Sequence, residues 1–170
     1  MSLVKRYCGE PLRPGSRIAV FANDALGNFV VCTPLLEMIR RVHAPSTLDF
    51  FGGVRTSQLQ AKSDLIDRHF PWCGAEPREL ETVIAERGCY DLVVNVEGTP
   101  EAKAATAIAC GPDTLICGPC FAPGTSDDYP LANDLRGRLQ ADPDCAECTI
   151  VPSPSTASAR LDDPPQSNPR

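Results

Sequence analysis

Apolar residues fall in short runs along this chain, and the runs alternate with segments of helical spacing. Ile18 to Phe21 is apolar at every position, with Arg17 before it and Asn23-Asp24 after it. Such a run suits a strand covered on both faces, as in a parallel sheet. Asn23 to Asn28 reads as a loop, with Gly27 supplying a backbone turn that a side chain would obstruct. Beyond it Val31, Leu35, Met38, Ile39 and Val42 recur at helical spacing. Pro34 stands inside that pattern, so the expected helix begins at Pro34 with Thr33 as its N-cap. Leu48, Phe50 and Phe51, ending at Gly52-Gly53, make a second strand. Strand, helix and strand in so short a stretch form a βαβ unit.

The middle of the chain is less regular. Arg55 to His69 holds Leu59, Leu65 and Ile66 in a polar background and predicts a broken helical segment. Pro71 to Gly74 reads as a turn or a very short third strand. Pro77 to Arg87 carries the clearest helix signals here: Glu79 and Glu81 early, Arg87 late, Gly88 just beyond. Its apolar face is Leu80, Val83 and Ile84. Tyr90 to Val96 repeats the pattern of the first strand and ends at Glu97-Gly98. Pro100 to Cys110 is alanine-rich and helical up to Gly111-Pro112, and Thr114 to Cys117 is a last short strand. This alternation predicts an α/β fold with a mostly parallel sheet and flanking helices.

The ends differ from the middle. Residues 1–16, with Pro11, Pro14 and Gly15, read as an extended lead-in. The folded unit is expected over 17–124, a partly helical linker over 125–150, and a disordered Pro/Ser-rich tail over 151–170. That tail has too few apolar residues to offset the entropy of ordering.

Composition narrows the function. The chain has 170 residues, about one domain, and 42% of them are apolar. Its net charge is −6 with no basic stripe, which argues against nucleic-acid binding. No apolar run is long enough for a membrane span. Residues 1–15 lack a secretory signal pattern, so the nine cysteines are read as reduced thiols in a cytoplasm.

Several residues carry candidate chemistry. Asp24, Gly27 and Asn28 follow the first strand, and Asn95, Glu97 and Gly98 end a second central strand. Ligands of open α/β sheets bind at such carboxyl ends. Each group also has a plain reading as loop and capping residues. Cys117-Gly118-Pro119-Cys120 and Cys145-Ala146-Glu147-Cys148 are two CxxC pairs that could place four thiolates around zinc. His43, near a helix C-terminus that welcomes a cation, and His69 are read as structural. Trp72 either packs a turn or faces a sugar.

Leu26-Gly27-Asn28 with Thr33-Pro34-Leu35-Leu36 and Arg40, followed later by Tyr90-Asp91-Leu92-Val93-Val94-Asn95-Val96-Glu97-Gly98, resembles the N-terminal half of the heptosyltransferase-like glycosyltransferases. The resemblance covers residues 17–118. It implies a Rossmann-like domain, one half of a GT-B architecture, that binds a sugar or glycoside acceptor. The other half of that architecture binds a nucleotide sugar as donor substrate, and no further cofactor is required. The family's general base is an aspartate at the position of Asn28, whose amide has no useful basicity. Asp24 is then a possible displaced base. A strand-end acid of the family corresponds to Asn95, and its glutamine to Glu97. The donor half has no counterpart in this sequence. The resemblance thus implies an acceptor half that is truncated or needs a second chain, inactive in isolation. Two other readings stay open: a non-catalytic binding or scaffold domain that lost the carboxylates, and a zinc-stabilised module.

Overall fold

A computed structural model describes residues 5–73, 76–121 and 126–127. Its strands are β1 (Lys5–Arg6), β2 (Ser16–Phe21), β3 (Ser46–Gly52), β4 (Arg68–Pro71), β5 (Leu92–Asn95) and β6 (Leu115–Cys117). All pair in parallel, in the order β1-β6-β5-β2-β3-β4. The helices are α1 (Leu26–Val42), α2 (Ser57–Gln60), α3 (Pro77–Arg87) and α4 (Pro100–Ala109), with a 3-10 turn at Val54–Thr56. The fold is α/β and Rossmann-like, as the alternating pattern predicts.

Side chains of a strand alternate between faces, and β2 divides its apolar residues accordingly. Ile18 and Val20 join Leu48, Phe50, Leu92 and Val94 on one face, under Phe29, Cys32, Leu36 and Ile39 of α1. Ala19 and Phe21 join Phe51 and Val93 on the other, under Leu80 and Ile84 of α3 and Ala105 and Ala109 of α4. Fully burying a side chain such as Leu36 or Phe50 stabilises the fold by roughly 2 kcal/mol.

Helix α1 departs from expectation. It starts at Leu26, with Ala25 as an N-cap that makes no side-chain bond, and Pro34 lies inside it. Proline at this place leaves the Val30 carbonyl without its helical donor. Val30 is exposed, so water can take that carbonyl. The inward positions are Phe29, Cys32, Leu36 and Ile39, whereas Val31, Met38 and Val42 face outward at 76%, 48% and 48% exposure. The expected apolar face was therefore rotated around the helix. Gly27 belongs to its first turn, not to a loop, and a Cβ added there would meet open space.

Both edge strands differ from the sequence expectation. The lead-in contributes β1, in register with β6 at Lys5 and Leu115. Strand β4 runs from Arg68 to Pro71, earlier than the turn or very short strand expected over Pro71 to Gly74. The broken helical segment is real but short, comprising the 3-10 turn and α2. The linker and tail expected over 125–170 lie almost wholly outside the described residues.

A buried ionic cluster ties the sheet to α3. Asp49 of β3 is 1% exposed. Its Oδ2 accepts from Arg87 Nη2 at 2.9 Å and from the Tyr90 hydroxyl at 2.8 Å. Arg17 of β2 lies over the Tyr90 ring and donates to the Arg87 carbonyl. Burial, then the neighbouring Asp49 carboxylate, pushes the Tyr90 hydroxyl far above its usual pKa.

Candidate functional site

The chain order places the site. From β2 the chain moves outward through β3 to β4, then returns to β5 on the other side of β2. Its crossovers run over opposite faces, α1 on one and α3 on the other. The connections leaving β2 and β5 therefore diverge, the arrangement at which ligands of open α/β sheets bind between strand carboxyl ends. Phe21 and Asn95 are register partners at that edge.

Two polar residues meet across it. Asn28, in the first turn of α1, donates from Nδ2 to Glu97 Oε1 at 3.2 Å. Asn28 is exposed and Glu97 half-buried. The two sequence stretches are thus brought into one place.

Asn95 supports this edge from beneath. It is 2% exposed, its Oδ1 accepts the Glu97 backbone N–H at 2.9 Å, and its Nδ2 donates to the Pro119 carbonyl at 2.6 Å. The residue links the tip of β5 to the loop after β6. Gly118 makes that contact possible. Its φ is +93°, and a Cβ there would fall on the Asn95 carbonyl oxygen. Sequence reasoning missed Gly118 because it stood inside a CxxC motif and drew attention to its cysteines.

Asp24 is placed differently. Its Oδ1 accepts the Arg55 backbone N–H at 2.8 Å, and its carboxylate occupies the space a Cβ on Gly53 would need. It fastens the β2 loop to the β3 loop. Gly98 lies beyond Glu97, with open space where its Cβ would be.

Thiols near this edge are protonated. Burial, then the Asp24 and Glu97 charges, pushes Cys73 up to about 11. Burial and then Glu97 raise Cys32 as well. Neither offers a thiolate nucleophile at neutral pH. Burial likewise raises Cys117, against the lowering effect of Arg6. Cys120 is buried, and Cys145 and Cys148 lie outside the described residues. Among the described residues no three His, Cys, Asp or Glu side chains are grouped for a metal ion.

His43 caps α1 as a buried neutral ring rather than a cation. Its Nδ1 accepts the Leu12 N–H at 3.4 Å, which leaves Nε2–H to donate to the Tyr7 oxygen at 2.9 Å. Burial lowers its pKa. His69 sits half-buried in β4. Trp72 packs a turn: its Nε1 donates to the Ala22 carbonyl at 2.8 Å, and its ring meets the Phe21 ring edge to face. It also lines a small cavity with Phe51, Phe70, Leu80 and Val83, whose lining includes neither Asn28 nor Glu97.

Among the described residues no helix is long and apolar enough to cross a membrane.

The molecule is an α/β protein with a Rossmann-like parallel sheet whose topological switch point falls between β2 and β5. No protein-family model matches the chain, and no curated protein matches it. Among solved structures it is similar to the glycosyl transferase family 9 protein from Veillonella parvula DSM 2008, with a TM-score of 0.54 and 19% identity. The match covers 64% of this chain and 34% of that one, so the chain spans about a third of its neighbour. At that identity the likeness is one of fold.

Proposed function

We propose that this chain is the acceptor-binding half of a nucleotide-sugar-dependent glycosyltransferase that moves a heptosyl or hexosyl group. Gly27, Asn28, Glu97 and Gly98 line the acceptor side, and Asn95 holds the β5 tip in place. The donor nucleotide sugar is bound by a second Rossmann-like domain, supplied by further sequence or by a second chain. One observation carries the reading: the Asn28–Glu97 hydrogen bond joins polar side chains from beyond the β2 and β5 ends at the switch point. A family 9 glycosyl transferase shares the fold, which supports the same direction. Sugars are bound by planar polar groups that match their hydroxyls, and an amide beside a carboxylate is such a pair.

Titration of ¹⁵N-labelled protein with methyl glycosides of hexoses and heptoses tests this. Amide shifts are expected at Gly27, Asn28, Glu97 and Gly98. A panel in which no glycoside moves them would overturn the reading. The isolated chain is expected to turn over no nucleotide sugar, and measurable transfer by it alone would refute the half-enzyme part.

A binding domain without chemistry is the second reading. It is favoured by Asn28, an amide where the resembled family carries its base. Transfer that appears only with Asn28→Asp, in the presence of a donor-binding partner, would support it.

A further inference from the structure

Two carboxylates lie near the switch point among the described residues, and they are held in different ways. Asp24 is a fastener, its Oδ1 engaged by the Arg55 N–H and its body wedged against Gly53. Glu97 is half-buried, and no cation pairs with it among the described residues. Its backbone is pinned by Asn95 Oδ1, and its Oε1 receives the Asn28 amide. A carboxylate accepts hydrogen bonds and an amide NH₂ donates them, so the partner fixes which way each group points. A side chain held at both ends loses less rotamer freedom when a ligand arrives.

We infer that Glu97, aimed by Asn28, is the residue that receives a hydroxyl of the acceptor sugar. Asn28 is its positioning residue. The inference rests on the glycosyl-transfer reading and deepens it, because it moves the acidic role from the α1 side of the switch point to the β5 side. During transfer the acceptor oxygen forms a bond to the donor's anomeric carbon. The bond from that carbon to the phosphate oxygen breaks, and its electron pair leaves with the nucleoside diphosphate. The hydroxyl proton passes to the Glu97 carboxylate, which later returns it to water.

Deoxy glycosides test the contact on the chain itself. The probe is the methyl glycoside with the highest affinity in the titration, together with its monodeoxy analogues. Glu97→Gln is expected to weaken the parent glycoside about tenfold, in the range of a lost charge-assisted hydrogen bond. Against the one analogue lacking the contacted hydroxyl, the loss should vanish. Asn28→Ala, which keeps the acid and removes only the amide that aims it, should weaken the parent glycoside by less than Glu97→Gln does and leave its dependence on the contacted hydroxyl in place. Both positions are at least partly exposed, so melting temperatures should stay unchanged and exclude a folding defect. If Glu97→Gln binds every glycoside as wild type does, the inference fails while the acceptor reading stands. If no glycoside binds the wild type, both fall.

Discussion

Arg87 Nε and Nη2 both reach Oδ2 of Asp49, at 3.2 and 2.9 Å, and so join the last turn of α3 to the interior of β3. The contact bridges an element on one face to a strand in the middle of the sheet. Asp49→Ala strands the Arg87 guanidinium and the Tyr90 hydroxyl in a largely buried place. Losing one partner of a buried pair costs about 3 kcal/mol. Chemical denaturation should show a loss of that size, while Asp49→Asn, which keeps an acceptor for Tyr90, should cost less. A change within about 0.5 kcal/mol for the alanine variant would mean that water replaces the cluster.

Two glycines should respond to alanine with opposite signs. At Gly118 a side chain meets both an unfavourable φ and the Asn95 carbonyl. Gly118→Ala is expected to destabilise by at least about 2 kcal/mol and to shift the amide signals of Asn95 and Glu97. At Gly27 the backbone is helical and the added Cβ has room. Gly27→Ala should stabilise by up to about 1 kcal/mol. If it also abolishes glycoside binding, the missing side chain is there for the ligand and not for the fold.

His43 makes stability depend on pH. Burial lowers its pKa below 6.5, so the folded state favours the neutral ring. Its contribution is fully present above pH 6.5 and declines as pH falls through that value toward the folded pKa. Comparing denaturation of wild type and His43→Gln between pH 8 and pH 5 should show the wild type losing more stability over that window. Equal slopes would mean that the ring titrates freely in both states.

Thiol accessibility gives a fourth check. Cys110 is pushed up to about 12, first by burial and then by the nearby Cys120 and Cys89 thiols. Cys89 is exposed. Alkylation by iodoacetamide at pH 8, followed by peptide mass spectrometry, should label Cys89 well before Cys110 and Cys73. Fast labelling of Cys110 in the native protein would contradict the burial described.

The central strands were legible because each is a run of apolar residues, the pattern of a parallel sheet covered on both faces. Helix α3 is legible by its ends and α4 by its alanine-rich run up to Gly111-Pro112, and the structure adds the caps. Gly88 follows the last turn of α3 with φ +77°, and Thr99 Oγ1 accepts the Ala102 N–H at the start of α4. The edges were not. Arg68 to Pro71 pairs on one side only and carries one large apolar residue, Phe70, so its pattern gives no alternation to read. The start of α1 is not legible, because Pro34 reads as a first-turn residue, whereas burial of Phe29 and Cys32 extends the helix two turns upstream. Asp49 stands between Leu48 and Phe50, and nothing in the local pattern marks it as buried. Its partners come from residues 17, 87 and 90, and no local spacing reveals them. The meeting of Asn28 and Glu97 followed only from placing β2 beside β5. Periodicity gives the strands and leaves their order open.

Lys5 aligns with Leu115, so the first strand of the sheet finds its neighbour in the last. On a ribosome, residues 5 and 6 must wait for more than a hundred others before their seam can close. Such distant pairing is slow, since the long intervening loop has to be ordered first. The β1–β6 border should therefore be the final zipper of folding and the first to fray. The Gly118 loop that steadies the β5 tip hangs directly from it.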